Sequence, residues 1–139
     1  ILGKISNGKL KLAKSPKISA TCIRVPVKDG HMASVEINLG RHIDKKRFIE
    51  AIIKYKNPIA KLKLPSAPKE FIKYFNEEDR PQTRLDRNFE HGMGITVGRL
   101  KKDNNFGWKF VDLSHNTIRG AAGGAILLAE LLKVKGYLD

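Results

Sequence analysis

The sequence predicts an α+β fold, with a mixed or mostly antiparallel sheet and helices packed on one of its faces. Three observations lead there. Strand-like stretches with alternating apolar residues flank turn-forming residues, an amphipathic helix interrupts them, and a strongly apolar helix closes the chain. The order ββα(β)ββα is that of a layered α+β domain rather than of regularly repeated βαβ units.

Lys17 to Val27 reads as the first strand and His31 to Leu39 as the second, with His31, Ala33, Val35, Ile37 and Leu39 on one parity. Between them Lys28-Asp29-Gly30 is a turn signal, so the two strands are expected to form a hairpin. Asp44 is positioned to cap a helix from Lys45 to Lys56, whose apolar stripe is Phe48, Ile52 and Tyr55. Asn57-Pro58 ends it, because a residue before proline avoids the helical region. Residues 58–69 contain Pro58, Pro65 and Pro68 and are expected to be extended or irregular. Glu70 to Asn76 is assigned a short strand and Arg80 to Glu90 a polar loop. Met93 to Leu100 and Trp108 to Leu113 form a further strand pair around the Asp103-Asn104-Asn105 turn.

The run from Ser114 to Ala125 is an abrupt strand-to-helix junction, with Asn116 or Thr117 as the expected cap of a helix reaching about Lys135. Gly120, Gly123 and Gly124 strip its first turns of bulk. Each glycine in a helix costs about 1 kcal/mol relative to alanine, so close approach of a backbone or a ligand must offset them. A helix N-terminus also presents unpaired N–H groups to a carbonyl or phosphate. On these residues alone, tight packing without a ligand is the preferred explanation.

The 139 residues are enough for one domain with a real core, and their 41% hydrophobic and 29% charged content is that of an ordinary globular protein. No apolar run approaches the ~20 residues of a membrane span and no secretory signal opens the chain, so a cytoplasmic setting without a membrane partner is expected. The start at Ile1, without an initiator Met, suggests a chain that is processed or cut from something longer. A single cysteine excludes an internal disulfide framework. The 27 basic and 14 acidic residues give a net charge of +13. That raises a nucleic-acid-binding module as a rival of another class. The lysines are scattered, however, and no zinc spacing or stacking platform accompanies them, so no nucleic-acid partner is assigned.

If Asp29-Gly30 were the two-residue loop of a hairpin, Lys28 would face His31, Pro26 Ala33, Arg24 Val35 and Cys22 Ile37. Arg24 and His31 would then point the same way, ~13 Å apart between backbones, a gap that a long arginine narrows to the length of a small dicarboxylate. A guanidinium grips a carboxylate at two points and an imidazole works as acid or base near neutrality. From pattern alone, a strand-end histidine and a surface arginine on a solvated face are the preferred explanation. Cys22, mid-strand, is read as a small buried hydrophobe rather than a nucleophile. His42 and His91 look like loop residues, and the four histidines lack metal-ligand spacing.

Four segments, in order, carry a resemblance: Ser19-Ala20-Thr21-Cys22-Ile23-Arg24-Val25-Pro26-Val27-Lys28-Asp29-Gly30-His31; Arg80-Pro81-Gln82-Thr83-Arg84-Leu85-Asp86-Arg87; Gly92 to Leu100; and His115 to Gly124. Together they resemble aspartate-semialdehyde dehydrogenase, in its archaeal and fungal-type branch, over residues 15–135. The resemblance implies a glyceraldehyde-3-phosphate dehydrogenase-like C-terminal domain, in part. Residues 1–139 would be a portion of the dimerisation and substrate domain, and 116–135 its returning helix. The N-terminal dinucleotide-binding domain, the phosphate loop and the Asn-Cys nucleophile segment would lie outside the chain, which would be inactive by itself. By motif, His31 would be the general base, Arg24 the clamp on the substrate carboxylate, Asn116 the contact to the nicotinamide carboxamide, and Gly120 a point of close approach to the cofactor domain. Asp86 would anchor an arginine. The implied reaction is NADPH-dependent reductive dephosphorylation of aspartyl 4-phosphate through a cysteine thioester, for lysine, threonine and methionine synthesis, in a homodimer or tetramer. A malonyl-CoA reductase on the same scaffold is the nearest rival.

Overall fold

The computed structural model describes residues 3–138. Its centre is a four-stranded mixed sheet in the order β3 (His31–Ile37), β6 (Gly107–Ser114), β5 (Ile95–Asp103), β4 (Ile72–Phe75). β3 and β5 run antiparallel to β6, and β4 runs parallel to β5. The β5–β6 turn closes where expected: Asp103 Oδ1 accepts from the amides of Asn105 and Phe106 at 2.9 and 3.0 Å. The register shifts between Gly98 and Lys101, where Arg99 takes φ +58°, a bulge that brings Leu100 to the same face as Trp108.

Helix α1 (Lys45–Ile53) begins as the sequence indicates, with Asp44 Oδ1 accepting from the Arg47 amide at 2.8 Å. It lays its stripe on one face of the sheet. The Phe48 ring stands edge-on to Trp108 at 5.5 Å and to Phe110 at 6.1 Å, and Tyr55 meets Phe71 at 5.6 Å. The proline-rich stretch after it is irregular apart from a 3-10 turn at Pro58–Leu62, capped by Asn57. The opposite face of the sheet is covered over its β4–β5 half by the segment that follows β4. This segment holds the single-turn α2 (Thr83–Asp86) and a turn at Phe89–Gly92. Arg80 lies over the Phe75 ring at 4.5 Å. Leu100, Trp108 and Leu113 are the most deeply enclosed apolar side chains, at 1, 3 and 1% exposure.

At the N-terminal end one element was not foreseen and one expectation does not hold. Residues 3–12 form a hairpin, β1 (Gly3–Ser6) and β2 (Lys9–Leu12), to which the sequence reading assigned nothing. Asn7 and Gly8 take φ +51° and +71°, the paired positive values of a tight two-residue turn. The strand expected over Lys17 to Val27 is not formed: 17–27 is exposed chain without a ladder. Pro26 has no amide to donate, and the Val27 amide closes a tight turn on the Val25 carbonyl at 2.9 Å, breaking the extension. The partner of β3 is β6, reached only much later in the chain.

The chain closes with α3 (Gly123–Val134), preceded by a π-helical turn at Ile118–Ala122. Ser66 ties α3 down through its amide and hydroxyl, at 3.0 and 2.7 Å from the Glu130 carboxylate. Ile126, Leu128 and Val134 nevertheless remain more than half exposed. No helix among the described residues is long and apolar enough to cross a membrane.

Candidate functional site

Three separated segments meet at the start of β3. His31 is the first residue of the strand, pairs with Ser114 of β6, and is exposed. The residue before it, Gly30, is buried at φ +106° and donates its amide to Asn116 Oδ1 at 2.7 Å. A Cβ at Gly30 would lie 3.0 Å from Leu113 Cδ1 and 3.3 Å from Thr83 Cγ2. The Asp29-Gly30-His31 turn, the loop containing Thr83 and the junction containing Asn116 therefore converge on one backbone position. The register also puts His31, Ala33, Asp112 and Ser114 on the face that carries α1. Asp112 is half-buried there. Burial pushes its carboxyl above the usual carboxylate range, against a hydrogen bond from the Ala33 backbone.

The loop over the opposite face is held by a two-point ion pair. Arg80 donates to both carboxylate oxygens of Asp86, from Nε at 2.8 Å and from a terminal nitrogen, while the Gln82 amide donates to the same carboxylate at 2.7 Å. Asp86 is 5% exposed, and burial alone would raise its pKa; the Arg80 hydrogen bond, the Gln82 amide and the Arg80 charge together hold it below the usual range. Asp86 thus anchors an arginine, as expected.

The strand-to-helix junction is built differently from the expectation that Asn116 or Thr117 caps an α-helix. Asn116 spends its side-chain oxygen on Gly30, and Thr117 makes no side-chain cap. The cap is His115, 5% exposed, whose Nδ1 accepts from the Thr117 and Ile118 amides at 3.3 Å each. An Nδ1 that accepts backbone N–H groups leaves the ring proton of the neutral imidazole on Nε2. The next bonds, Gly120 N to His115 O at 3.0 Å and Ala122 N to Thr117 O at 3.1 Å, span five residues and make the turn a π-turn. The glycines follow from that geometry. A Cβ at Gly123 would sit 2.6 Å from Met93 Sδ, and one at Gly124 would strike the Arg119 carbonyl. Two of the three glycines are therefore explained by packing within and beneath the turn, whereas a Cβ at exposed Gly120 would meet only His115 O, at 3.6 Å. Arg119 completes the junction: Nη1 donates to the Met93 carbonyl at 2.7 Å, the guanidinium covers Phe71 at 4.6 Å, and burial lowers its pKa. His115 and Arg119 were not singled out from the sequence; a histidine directly before Asn-Thr at a helix start was the available signal for the first.

Arg24 is exposed in the ladder-free segment, so the hairpin that was to set it beside Val35, on the His31 face, is absent. Cys22 is exposed as well, not buried in a strand. The structure thus brings His31 and Asn116 together through Gly30, and it does not supply the shared-face geometry expected for Arg24 and His31.

Comparison with known proteins gives a consistent result. Residues 1–119 match the family model "Semialdehyde dehydrogenase, dimerisation domain". The chain is 45% identical over 132 residues to aspartate-semialdehyde dehydrogenase of Archaeoglobus fulgidus, spanning 95% of this chain and 37% of that protein. It is 40% identical over 124 residues to malonyl CoA reductase (NADP) of Metallosphaera sedula, spanning 88% and 35%. Among solved structures, aspartate semialdehyde dehydrogenase with NADP from Candida albicans superposes with a TM-score of 0.86 at 36% identity, over 99% of this chain and 40% of that one. The chain therefore spans little more than a third of the length of the curated relatives it matches.

Proposed function

The chain belongs to the family of semialdehyde dehydrogenase dimerisation domains, and on that premise we propose that it supplies the dimerisation and substrate-facing part of an NADPH-dependent aspartate-semialdehyde dehydrogenase. The reaction is reductive dephosphorylation of L-aspartyl 4-phosphate, serving lysine, threonine and methionine synthesis in the cytoplasm. The observation that carries the reading is the convergence at Gly30: the turn bearing His31 and the junction bearing Asn116 are joined by one hydrogen bond.

His31 is the general base. Its imidazole takes the thiol proton of a cysteine contributed by polypeptide outside residues 1–139; the thiolate then displaces phosphate from the acyl carbon. NADPH, when bound, supplies the hydride that reduces that carbon. The imidazolium returns its proton to sulfur as the aldehyde leaves. An exposed imidazole on a fixed strand end suits proton transfer in both directions. Arg24 clamps the substrate carboxylate, a role that rests on the motif alone now that the hairpin is absent. The Asn116 amide nitrogen, which has no partner among the described residues, is a donor suited to the nicotinamide carboxamide oxygen. Gly120, open on its outer side, leaves room for the cofactor-binding part of the enzyme. The family's dimerisation domain supports self-association, in this reading into a dimer or tetramer, with residues 1–139 as the dimerisation and substrate portion and 116–135 as the returning helix.

The second reading, a malonyl-CoA reductase, is favoured by the Metallosphaera relative; Arg24 serves it equally, since both substrates carry a carboxylate. An assay of the full-length protein separates the two. Phosphate-dependent formation of NADPH from aspartate semialdehyde and NADP is the expected result. Oxidation of NADPH by malonyl-CoA, with no phosphate-dependent reaction, would replace this reading with the second.

A further inference from the structure

We propose that Asn116 is a positioning residue for His31: one carboxamide fixes the turn that presents the imidazole and, through its other end, faces the ligand. The inference deepens the function proposed above and rests on it for its kinetic consequences. The hydrogen bond between Gly30 and Asn116 is independent of that function.

Gly30 and Asn116 are 86 positions apart, yet the Gly30 amide meets Asn116 Oδ1 at 2.7 Å. An amide N–H only donates, so the atom facing it must be the carboxamide oxygen, and the orientation of the side chain is settled. The bond sits just beyond the His31–Ser114 pair and acts as an extra rung that closes the end of the β3–β6 ladder. Gly30 has little other freedom. It is buried, and the space where a side chain would go is filled by Leu113 and Thr83. Loss of the Asn116 oxygen leaves a buried donor unpaired, and the chain then gains by lifting Gly30 toward water. His31 is the next residue, so its imidazole moves with it.

The two ends of the carboxamide therefore do different work. Oδ1 is committed to Gly30, which fixes the direction in which Nδ2 can offer its two hydrogens. A ligand carbonyl bound there and the placement of the imidazole share one rigid planar group.

The test uses full-length enzyme with Asn116→Ala and Asn116→Asp. Aspartate keeps an acceptor for Gly30 and removes the donor; alanine removes both. Hydrogen–deuterium exchange at Gly30, kcat, the KM for NADPH and the pH profile are read for each. For alanine, Gly30 exchange at least tenfold faster, kcat at least tenfold lower and a displaced pH profile are expected. For aspartate, the expectation is Gly30 protection and a pH profile like those of the parent, with a tenfold or larger rise in KM for NADPH from the missing donor. Unchanged Gly30 protection in Asn116→Ala would overturn the proposal, as would equal losses of Gly30 protection in the two variants. His31→Ala measured alongside separates the two ideas. If it retains turnover, the base assignment falls, and Gly30 exchange still judges the bond. If it is inactive while Asn116→Ala keeps kcat and its pH profile, only the positioning role falls.

Discussion

Arg80 turns back across the start of α2 and grips Asp86 with two of its nitrogens, and the Gln82 amide donates to the same carboxylate. This one carboxylate gathers the bend at Arg80, the start of α2 and, through the guanidinium stacked on Phe75, the face of the sheet. It also supports the loop that brings Thr83 against Gly30.

Asp86→Asn should lower Tm by about 5 °C or more at pH 7, because the half-buried Arg80 guanidinium loses the charged partner that holds it against the sheet. The effect has a defined pH dependence. The folded carboxyl is held below its unfolded value, so its stabilisation is present above the ordinary carboxylate range and is lost as pH falls through the lowered folded value. Thermal melts between pH 7 and pH 3 should show parent and variant converging at the acid end. A constant gap across that range would contradict the account.

Asp112 is expected to behave with the opposite sign. Its folded carboxyl is raised by burial, so at neutral pH the ionised form opposes folding. Asp112→Asn keeps an acceptor for Ala33 and removes the charge. A rise in Tm of about 1–3 °C at pH 7, fading as pH falls into the carboxylate range, is the expected result. A variant less stable than the parent at pH 7 would show that the charge has a partner worth keeping.

Gly30→Ala should cost about 1–3 kcal/mol, measured by denaturant unfolding. Its φ of +106° is foreign to alanine, and the new methyl would press on Leu113 Cδ1 at 3.0 Å. Turnover of the full-length enzyme should fall as well, since the strain is borne by the turn that precedes His31. Wild-type stability in this variant would mean that the turn is looser than described.

Arg24→Ala in the full-length enzyme should raise the KM for the acyl substrate by about tenfold or more, the loss of a bidentate carboxylate contact, with a smaller effect on kcat. Steady-state kinetics at saturating NADPH give the answer directly. Unchanged KM would remove Arg24 from the site, and no structural geometry would remain to defend it.

Elements governed by local chemistry were legible in the sequence. Asp44 before a Phe48 and Ile52 stripe and the Asp103 turn each act within a few residues, and the start of α1 and the β5–β6 hairpin follow from them; the helix ends at Ile53, short of the expected Lys56, and Asn57 instead caps the 3-10 turn. Asp86 as the anchor of an arginine came with the resemblance, and the Arg80 pair bears it out. What escaped depends on distant partners. The 17–27 stretch has strand-like composition, but β6 takes the place beside β3, and the amide of Gly30 goes to Asn116 rather than to a hairpin. The shared-face argument for Arg24 and His31 fell with that hairpin, although the motif that singled out His31 did not depend on it. His115 was passed over because histidine is an uncommon cap, and its role depends on burial that only the fold reveals. Asn7-Gly8 is a different case: the turn signal was present in the sequence and no strand was assigned around it.

The general-base assignment is the centre of the account, and His31→Ala in the full-length enzyme tests it most directly. Turnover reduced by about 10² or more, with Tm and the KM for substrate near those of the parent, is the predicted result. Turnover within a few-fold of the parent would place the proton transfer on another group.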